Sequence, residues 1–118
     1  RQRQMCIRDR NNSVMGSIFS QYKTPALVNL DWTTTFTPPL LRKDLDLGLQ
    51  AARELGVSMP VTAATREALQ SHFGSASLKD DPEGYLAADF SALIETVALQ
   101  AGIKLVSENK DVKTGLEV

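Results

Sequence analysis

The sequence predicts an all-α fold, a small bundle of about four helices. Two segments begin at prolines and end at a glycine, the residues typical of the first turn and the C-terminal stop of a helix. A third segment combines a capping aspartate with a single apolar stripe. No segment alternates apolar and polar residues over the length of a strand, apart from a weak alternation in GIKLVS near the C-terminus.

The first predicted element is a helical stretch over residues 12–22. Its small residues recur at helical spacing, at Ser13, Gly16, Ser17 and Ser20. Such a face lets another backbone approach closely. Next, Thr24 and Pro25 have the order of an N-cap and a first helical residue, which predicts a short helical turn ending near Asn29. DWTTTFT is rich in β-branched and aromatic residues and predicts an extended connector.

The two proline-to-glycine helices follow. The first is predicted over residues 38 to about 55, with Gly56 as its stop, and the second over about 60–74. SASLKDDPEGYLAA then predicts a polar loop. Asp89 is the predicted cap of the last helix, FSALIETVALQAG. Its apolar stripe comprises Phe90, Leu93, Ile94, Val97 and Ala101.

Charged residues interrupt the predicted helix over residues 38–55. At 100° per residue, one apolar stripe comprises Leu41, Leu45, Gly48, Leu49, Ala52 and Leu55, and a second beside it comprises Leu40, Leu47 and Ala51. Asp44 falls between the stripes, so we predict that it points into packing, as a structural carboxylate or as a lining residue of a polar site. Lys43 lies at the edge of the polar arc, where its position favours a surface pair with Asp46.

Composition limits the class of protein. A chain of 118 residues, 42% apolar and 23% charged, predicts one soluble domain. Cys6 is the single cysteine and no apolar run could span a bilayer, so we expect a reduced, cytoplasmic protein without a membrane role. Four of the 13 basic and one of the 14 acidic residues lie in the first ten, which leaves 9 basic and 13 acidic residues and argues against a nucleic-acid partner.

The motifs of self-sufficient sites are missing from the sequence. His72 is the single histidine and lies on the apolar side of its predicted helix, which favours a hydrogen-bonded or dipole-compensating imidazole. No second histidine or cysteine offers metal-ligand spacing, so no metal site is predicted. The chain also lacks G-x-S-x-G, G-x-G-x-x-G and G-x-x-x-x-G-K-[ST].

The first ten residues, RQRQMCIRDR, differ from the rest. They are basic, lack helical periodicity and resemble translations of sequencing-adapter DNA at the ends of metagenomic reading frames. We expect residues 1–10 to be a non-native or disordered head, and residues 11–118 to form the domain.

Four motifs resemble the C-terminal half of the β-hydroxyacid dehydrogenases, a family that includes 3-hydroxyisobutyrate dehydrogenase, tartronate semialdehyde reductase and the glyoxylate and succinic semialdehyde reductases. They are Gly16-Ser17, Lys23-Thr24-Pro25, FTPPLLRKDLDLGLQAARELGVSMPVTAA and DFSAL, within residues 13–95. The resemblance implies the all-α C-terminal domain of a 6-phosphogluconate-dehydrogenase-like enzyme. It also implies that the Rossmann domain and the catalytic lysine of a Lys-x-x-Asn motif lie outside this chain, which alone is expected to be inactive.

The resemblance implies roles for three residues. Lys43 matches the lysine that contacts NAD or NADP, and Phe36 and Asp44 match residues that line the substrate pocket. The implied substrate is a small hydroxyacid or semialdehyde acid, and the implied assembly is a homo-oligomer formed through the helical domains. The alternative is a small helical interaction module without catalysis, in which the Arg-Lys-Asp cluster is solvated charge.

Overall fold

The computed structural model describes residues 2–114, and the side chains from Met5 onward. Residue 1 of the predicted head and the last four residues of the predicted domain lie outside this part. The six α-helices of the described residues are α1 (Gln2–Asn11), α2 (Ile18–Asn29), α3 (Pro38–Glu54), α4 (Pro60–Ala76), α5 (Pro82–Ala87) and α6 (Leu93–Gln100), and a 3₁₀ turn spans Phe90–Ala92. Residues 2–114 contain no strand, so the predicted all-α class is confirmed, with more helices than the four expected.

Helix α2 is continuous where two elements were predicted. Ser17 is its N-cap, because its Oγ accepts from the Ser20 amide at 3.1 Å and Ser20 Oγ accepts from the Ser17 amide at 3.0 Å. Pro25 lies inside the helix, where its ring removes one helical hydrogen bond. Thr24 donates its hydroxyl hydrogen to the Ser20 carbonyl at 2.7 Å, so the prediction that Thr24 is an N-cap was wrong.

Helices α3 and α4 begin and end close to the predicted residues. Gly56, at φ +67°, follows the last turn of α3 as expected of a C-terminal stop, whereas Gly74 lies within α4 rather than at its end. The helices run antiparallel. Arg42, near the start of α3, stacks on Phe73 near the end of α4, with 3.7 Å from the guanidinium carbon to the ring centroid.

Only one of the two apolar stripes of α3 is packed. Ala52 is buried and Leu41, Leu45 and Leu49 are half-buried on that side. The second stripe faces outward, since Leu40 is 45% and Leu47 is 57% exposed. Large apolar side chains on the described surface therefore remain uncovered.

The predicted polar loop contains helix α5. Asp81 caps it, accepting a hydrogen bond from the Gly84 amide at 2.9 Å, and Pro82 occupies the first position. Asp89 caps the following turn as predicted, but the predicted apolar stripe is not the buried face. Thr96 and Ala98 are buried, whereas Val97 is 50% exposed.

Both ends of the described chain pack against α2. The segment without helical periodicity forms α1, which contacts α2. GIKLVS is irregular, and the segment after it returns to the end of α2, where the Glu108 amide donates to the Val28 carbonyl at 3.1 Å. The radius of gyration is 15.6 Å, against about 13.5 Å for a compact domain of this length. The helices thus form an open arrangement with a small core.

Candidate functional site

A buried ion pair joins two segments that are far apart in the sequence. Lys23 of α2 and Asp89 are 4% and 1% exposed, and the Lys23 Nζ lies 2.8 Å from each carboxylate oxygen of Asp89. The same ammonium donates to Thr35 Oγ1 at 2.7 Å and lies 4.6 Å from the centroid of the Phe90 ring. Two buried charges are tolerated here because each has its opposite charge and further polar or aromatic neighbours.

The two oxygens of Asp89 contact different segments. Oδ1 accepts from the Ser91 amide at 3.0 Å and caps the turn that leads into α6. Oδ2 accepts from the backbone amides of Thr35 at 2.9 Å and Phe36 at 3.2 Å. One carboxylate therefore fixes both the start of α6 and the connector before α3. We call Lys23, Thr35, Phe36, Asp89 and Ser91 the Asp89 cluster.

The Asp89 cluster stabilises the ionised carboxylate. Burial by itself raises the pKa of Asp89, but the hydrogen bonds from Lys23, Ser91 and Thr35 outweigh it and hold the pKa well below its ordinary value of 3.8. Asp89 is therefore an anion throughout the neutral pH range, and with Lys23 it forms a fixed dipole rather than a free acid or base.

Phe36 is the predicted pocket residue that the Asp89 cluster holds. Besides the hydrogen bond from its amide to Asp89, its carbonyl accepts from the Phe90 amide at 2.9 Å. The Phe36 and Phe90 rings meet edge to face, 6.3 Å between centroids. Phe36 directly precedes Thr37, the N-cap of α3, so its ring lies at the N-terminal end of that helix.

Lys43 and Asp44 lie further along α3, on its solvent side. Their side chains are 59% and 53% exposed, and the Lys43 Nζ is 3.2 Å from Asp44 Oδ1. The prediction that Asp44 points into packing was wrong, because the stripe on one side of it is itself uncovered. The predicted partner of Lys43 was also wrong, since Asp46 pairs with Arg66 of α4, whose Nε is 2.8 Å from Asp46 Oδ1.

The structure brings Lys43 and Asp44 into contact with each other, and Phe36 into contact with Asp89 and Phe90. Among the described contacts, none joins Phe36 to the pair. At a rise of about 1.5 Å per residue, Lys43 lies about 9 Å along the helix from Thr37. All three residues therefore belong to the N-terminal half of α3 and the residue before its cap.

His72 lies in a second polar cluster, between α4, α5 and α6. It is completely buried, its Nδ1 is 3.0 Å from Thr96 Oγ1, and its ring centroid is 4.8 Å from that of Tyr85. Burial lowers the pKa of His72, which favours a neutral, hydrogen-bonded core imidazole over a dipole-compensating cation.

Tyr85 and Glu95 complete the second cluster. Glu95 accepts hydrogen bonds from Tyr85 Oη and Trp32 Nε1, each at 3.0 Å. Burial and the neighbouring Glu95 carboxylate raise the pKa of Tyr85 to about 12, so the phenol stays protonated. Tyr85 and Glu95 line a cavity of about 190 Å³ together with Thr96 and Lys79.

The part of the chain that the structure describes lacks two further features. It has no group of three or more histidine, cysteine, aspartate or glutamate side chains arranged to hold a metal ion. Between residues 2 and 114, no helix combines the length and the apolar character needed to cross a membrane.

A comparison with known families gives a match that covers most of the chain. A family model described as NAD-binding of NADP-dependent 3-hydroxyisobutyrate dehydrogenase matches residues 10–97, which are 88 of the 118 residues. The chain belongs to this family. A search of curated proteins found no significant match.

Membership of the 3-hydroxyisobutyrate dehydrogenase family confirms the resemblance at the level of the family. It supports an NAD(P)-linked dehydrogenase and a small acid as substrate. The matched residues include the Asp89 cluster and all three residues whose roles the resemblance implied.

Sequence reasoning missed the pairing of Lys23 with Asp89. Lys23 stood in the Lys-Thr-Pro motif and Asp89 in the DFSAL motif, and Asp89 was recognised only as a cap. Each is the single charged residue of its motif. Nothing in their separation of 66 positions indicated that they would meet.

Proposed function

We propose that this chain forms the helical wall of the nicotinamide and substrate cleft in an NAD(P)-dependent β-hydroxyacid dehydrogenase or semialdehyde reductase. The family match over residues 10–97 carries the proposal. It is supported by the accessibility of Lys43, whose side chain is more than half exposed and can reach a cofactor held by another domain.

The residues present fit a dinucleotide. Lys43 offers an accessible cation with three N–H donors, which suits an anionic cofactor. Arg42, the adjacent cation, is stacked on Phe73 and is not equally free. In the complete enzyme a bound nicotinamide would supply the hydride-transfer chemistry, as donor in its reduced form and as acceptor in its oxidised form.

This chain contributes positioning and exclusion of water. The Phe36 ring provides an apolar surface against the reacting groups, and Lys43 donates hydrogen bonds that orient the cofactor. We propose that Asp44, exposed beside Lys43, lines the substrate pocket or accepts a hydrogen bond from the catalytic ammonium of another domain. The lysine that transfers the proton to or from the substrate oxygen lies outside this chain, so we propose that the 118-residue chain is inactive alone.

Two experiments test this proposal. The DNA upstream of the reading frame is expected to encode G-x-G-x-x-G and, before this domain, a helix with Lys-x-x-Asn; their absence there would count against the dehydrogenase. The purified 118-residue chain is expected to show no oxidation of NADH or NADPH with glyoxylate or succinic semialdehyde. Measurable turnover would refute the proposal that the chain is inactive alone.

Weak cofactor contact is testable on the chain itself. In a ¹⁵N-labelled sample, NADP⁺ or NAD⁺ at millimolar concentration is expected to shift the amide resonances around Lys43. Lys43→Met should abolish the shifts, whereas Lys104→Met, which removes an exposed lysine from the segment after α6, should leave them intact. Shifts that survive Lys43→Met would contradict the assigned role.

A second candidate function is a helical interaction module without catalysis. The observation that favours it is the solvated Lys43–Asp44 pair, which in the chain alone resembles an ordinary surface pair. The exposed Leu40 and Leu47 on the same helix would then be the contact surface. The same NMR titration separates the two candidates, because a module without catalysis predicts no dinucleotide shifts at Lys43.

A further inference from the structure

The Asp89 cluster has a geometry that the cleft proposal does not use. Lys23 and Asp89 are buried, so neither reaches a ligand, yet the carboxylate contacts the residue that comes directly before the cap of α3. The connector has no helical or strand hydrogen bonds of its own over residues 32–36. Its conformation therefore depends on the groups it contacts.

Three interactions fix Phe36 from two directions. Asp89 Oδ2 holds its amide and the Phe90 amide holds its carbonyl, while the Phe90 ring packs against its side chain. Lys23 in turn donates to both oxygens of Asp89. Its ammonium also lies against the Phe90 ring, the second group that contacts Phe36. Both groups that position Phe36 are thus positioned by the Lys23 ammonium.

We propose that Lys23 and Asp89 are positioning residues that set the orientation of Phe36 in the substrate pocket. The proposal rests on the proposed function for the role of Phe36, and on the described contacts for the positioning itself. It assigns a functional consequence to a pair that is otherwise a structural link between α2 and α6.

Asp89→Asn can keep the bond to the turn while it removes the bonds to the connector, and it also leaves the buried Lys23 ammonium without its counter-ion. Asparagine is as good an N-cap as aspartate, so its oxygen can keep the bond from the Ser91 amide. Its NH₂ group then occupies the place of Oδ2, where it faces the amide donors of Thr35 and Phe36 instead of accepting from them. We expect amide exchange at both residues to accelerate by about tenfold or more, and the Phe36 ring resonances to shift.

Ser91→Ala is the matched control. It removes the hydroxyl that donates to Oδ1 and leaves Oδ2 with its donors, so exchange at Phe36 should stay within about twofold of wild type. Thr35→Val is a milder second variant in case Asp89→Asn does not fold. It removes the hydroxyl that links Lys23 to Oδ2 and that also contacts Tyr22 Oη, and should give a smaller shift of Phe36 in the same direction.

The outcomes distinguish this inference from the function on which it rests. If Asp89→Asn leaves the amide exchange and ring resonances of Phe36 unchanged, the positioning role is overturned while the cleft proposal stands. If Asp89→Asn does not fold, Thr35→Val decides in the same way. If the variants move Phe36, a titration of wild type with NADP⁺ and glyoxylate decides the rest. A shift of the wild-type Phe36 ring supports the pocket role, and its absence overturns both the pocket assignment and the functional consequence proposed for the pair.

Discussion

Replacing Lys23 by methionine removes the cation of the buried pair but keeps an unbranched side chain of similar length. Asp89, at 1% exposure, would remain as a buried carboxylate without its counter-ion. Removing one partner of such a pair typically costs about 3–5 kcal/mol. The amides of Thr35, Phe36 and Ser91 would still donate to the carboxylate. We therefore expect the free energy of unfolding to fall by about 3 kcal/mol, the lower end of this range.

The expected change in Tm follows from the length of the chain. An unfolding entropy of about 2 cal/mol/K per residue gives about 0.25 kcal/mol/K for the whole chain, so a loss of about 3 kcal/mol lowers Tm by about 12 °C. Circular dichroism at 222 nm during heating measures this shift. The same experiment at low ionic strength and in 0.5 M salt should give similar values, because a buried pair is poorly screened.

Lys43→Met is the matched control, because it makes the same chemical change in a lysine that also pairs with an aspartate. That pair is more than half exposed on both sides, and exposed pairs contribute about 0–1 kcal/mol, or at most about 4 °C. If Lys23→Met lowers Tm no more than Lys43→Met does, the reasoning about the buried pair is refuted.

Three further predictions concern the core, the helix ends and pH. Leu69→Ala, at 1% exposure, should lower the free energy of unfolding in urea by about 2–5 kcal/mol. Leu47→Ala, at 57% exposure, should change it by no more than about 0.5 kcal/mol. Equal losses would contradict the described core. Gly56→Ala should lower the free energy of unfolding by about 1 kcal/mol, because Gly56 has φ +67°. Gly48→Ala should raise it by about 0.5–1 kcal/mol, because a Cβ at this position in α3 meets open space. The two alanines should therefore shift Tm in opposite directions. Because burial lowers the pKa of His72 below 6.5, the unfolded chain binds the proton more readily, and the free energy of unfolding should fall as pH drops below about 6.5. His72→Asn should flatten this dependence between pH 7.5 and 5, and an unchanged slope would assign it to another group.

Local signals in the sequence predicted much of the fold. The prolines and Gly56 at the ends of α3, and Pro60 at the start of α4, act through their own backbone geometry, so no tertiary information was needed to place them. Asp89 as a cap was equally local. Pro25 was misleading, because a proline at a helix start and a proline inside a helix differ only in what precedes them, and the capping serines at residues 17 and 20 were not recognised.

The candidate site was likewise predicted only in part. Motif order alone singled out Phe36, Lys43 and Asp44, and periodicity alone placed Lys43 correctly at the surface. Periodicity was wrong for Asp44 because a helical wheel shows which residues share a face but not whether another element covers that face. One apolar stripe of α3 packs against α4, whereas the other stripe is uncovered.

The sequence by itself determined the all-α class, the ends of the central helices and the family, since each depends on short stretches of neighbouring residues. Only the tertiary structure decided that Lys23 meets Asp89 across 66 positions, and that Phe36 is held by that carboxylate. The physical reason is that a buried charge must be paired, but the partner is chosen by the packing of α2 against the turn before α6, which no local pattern encodes.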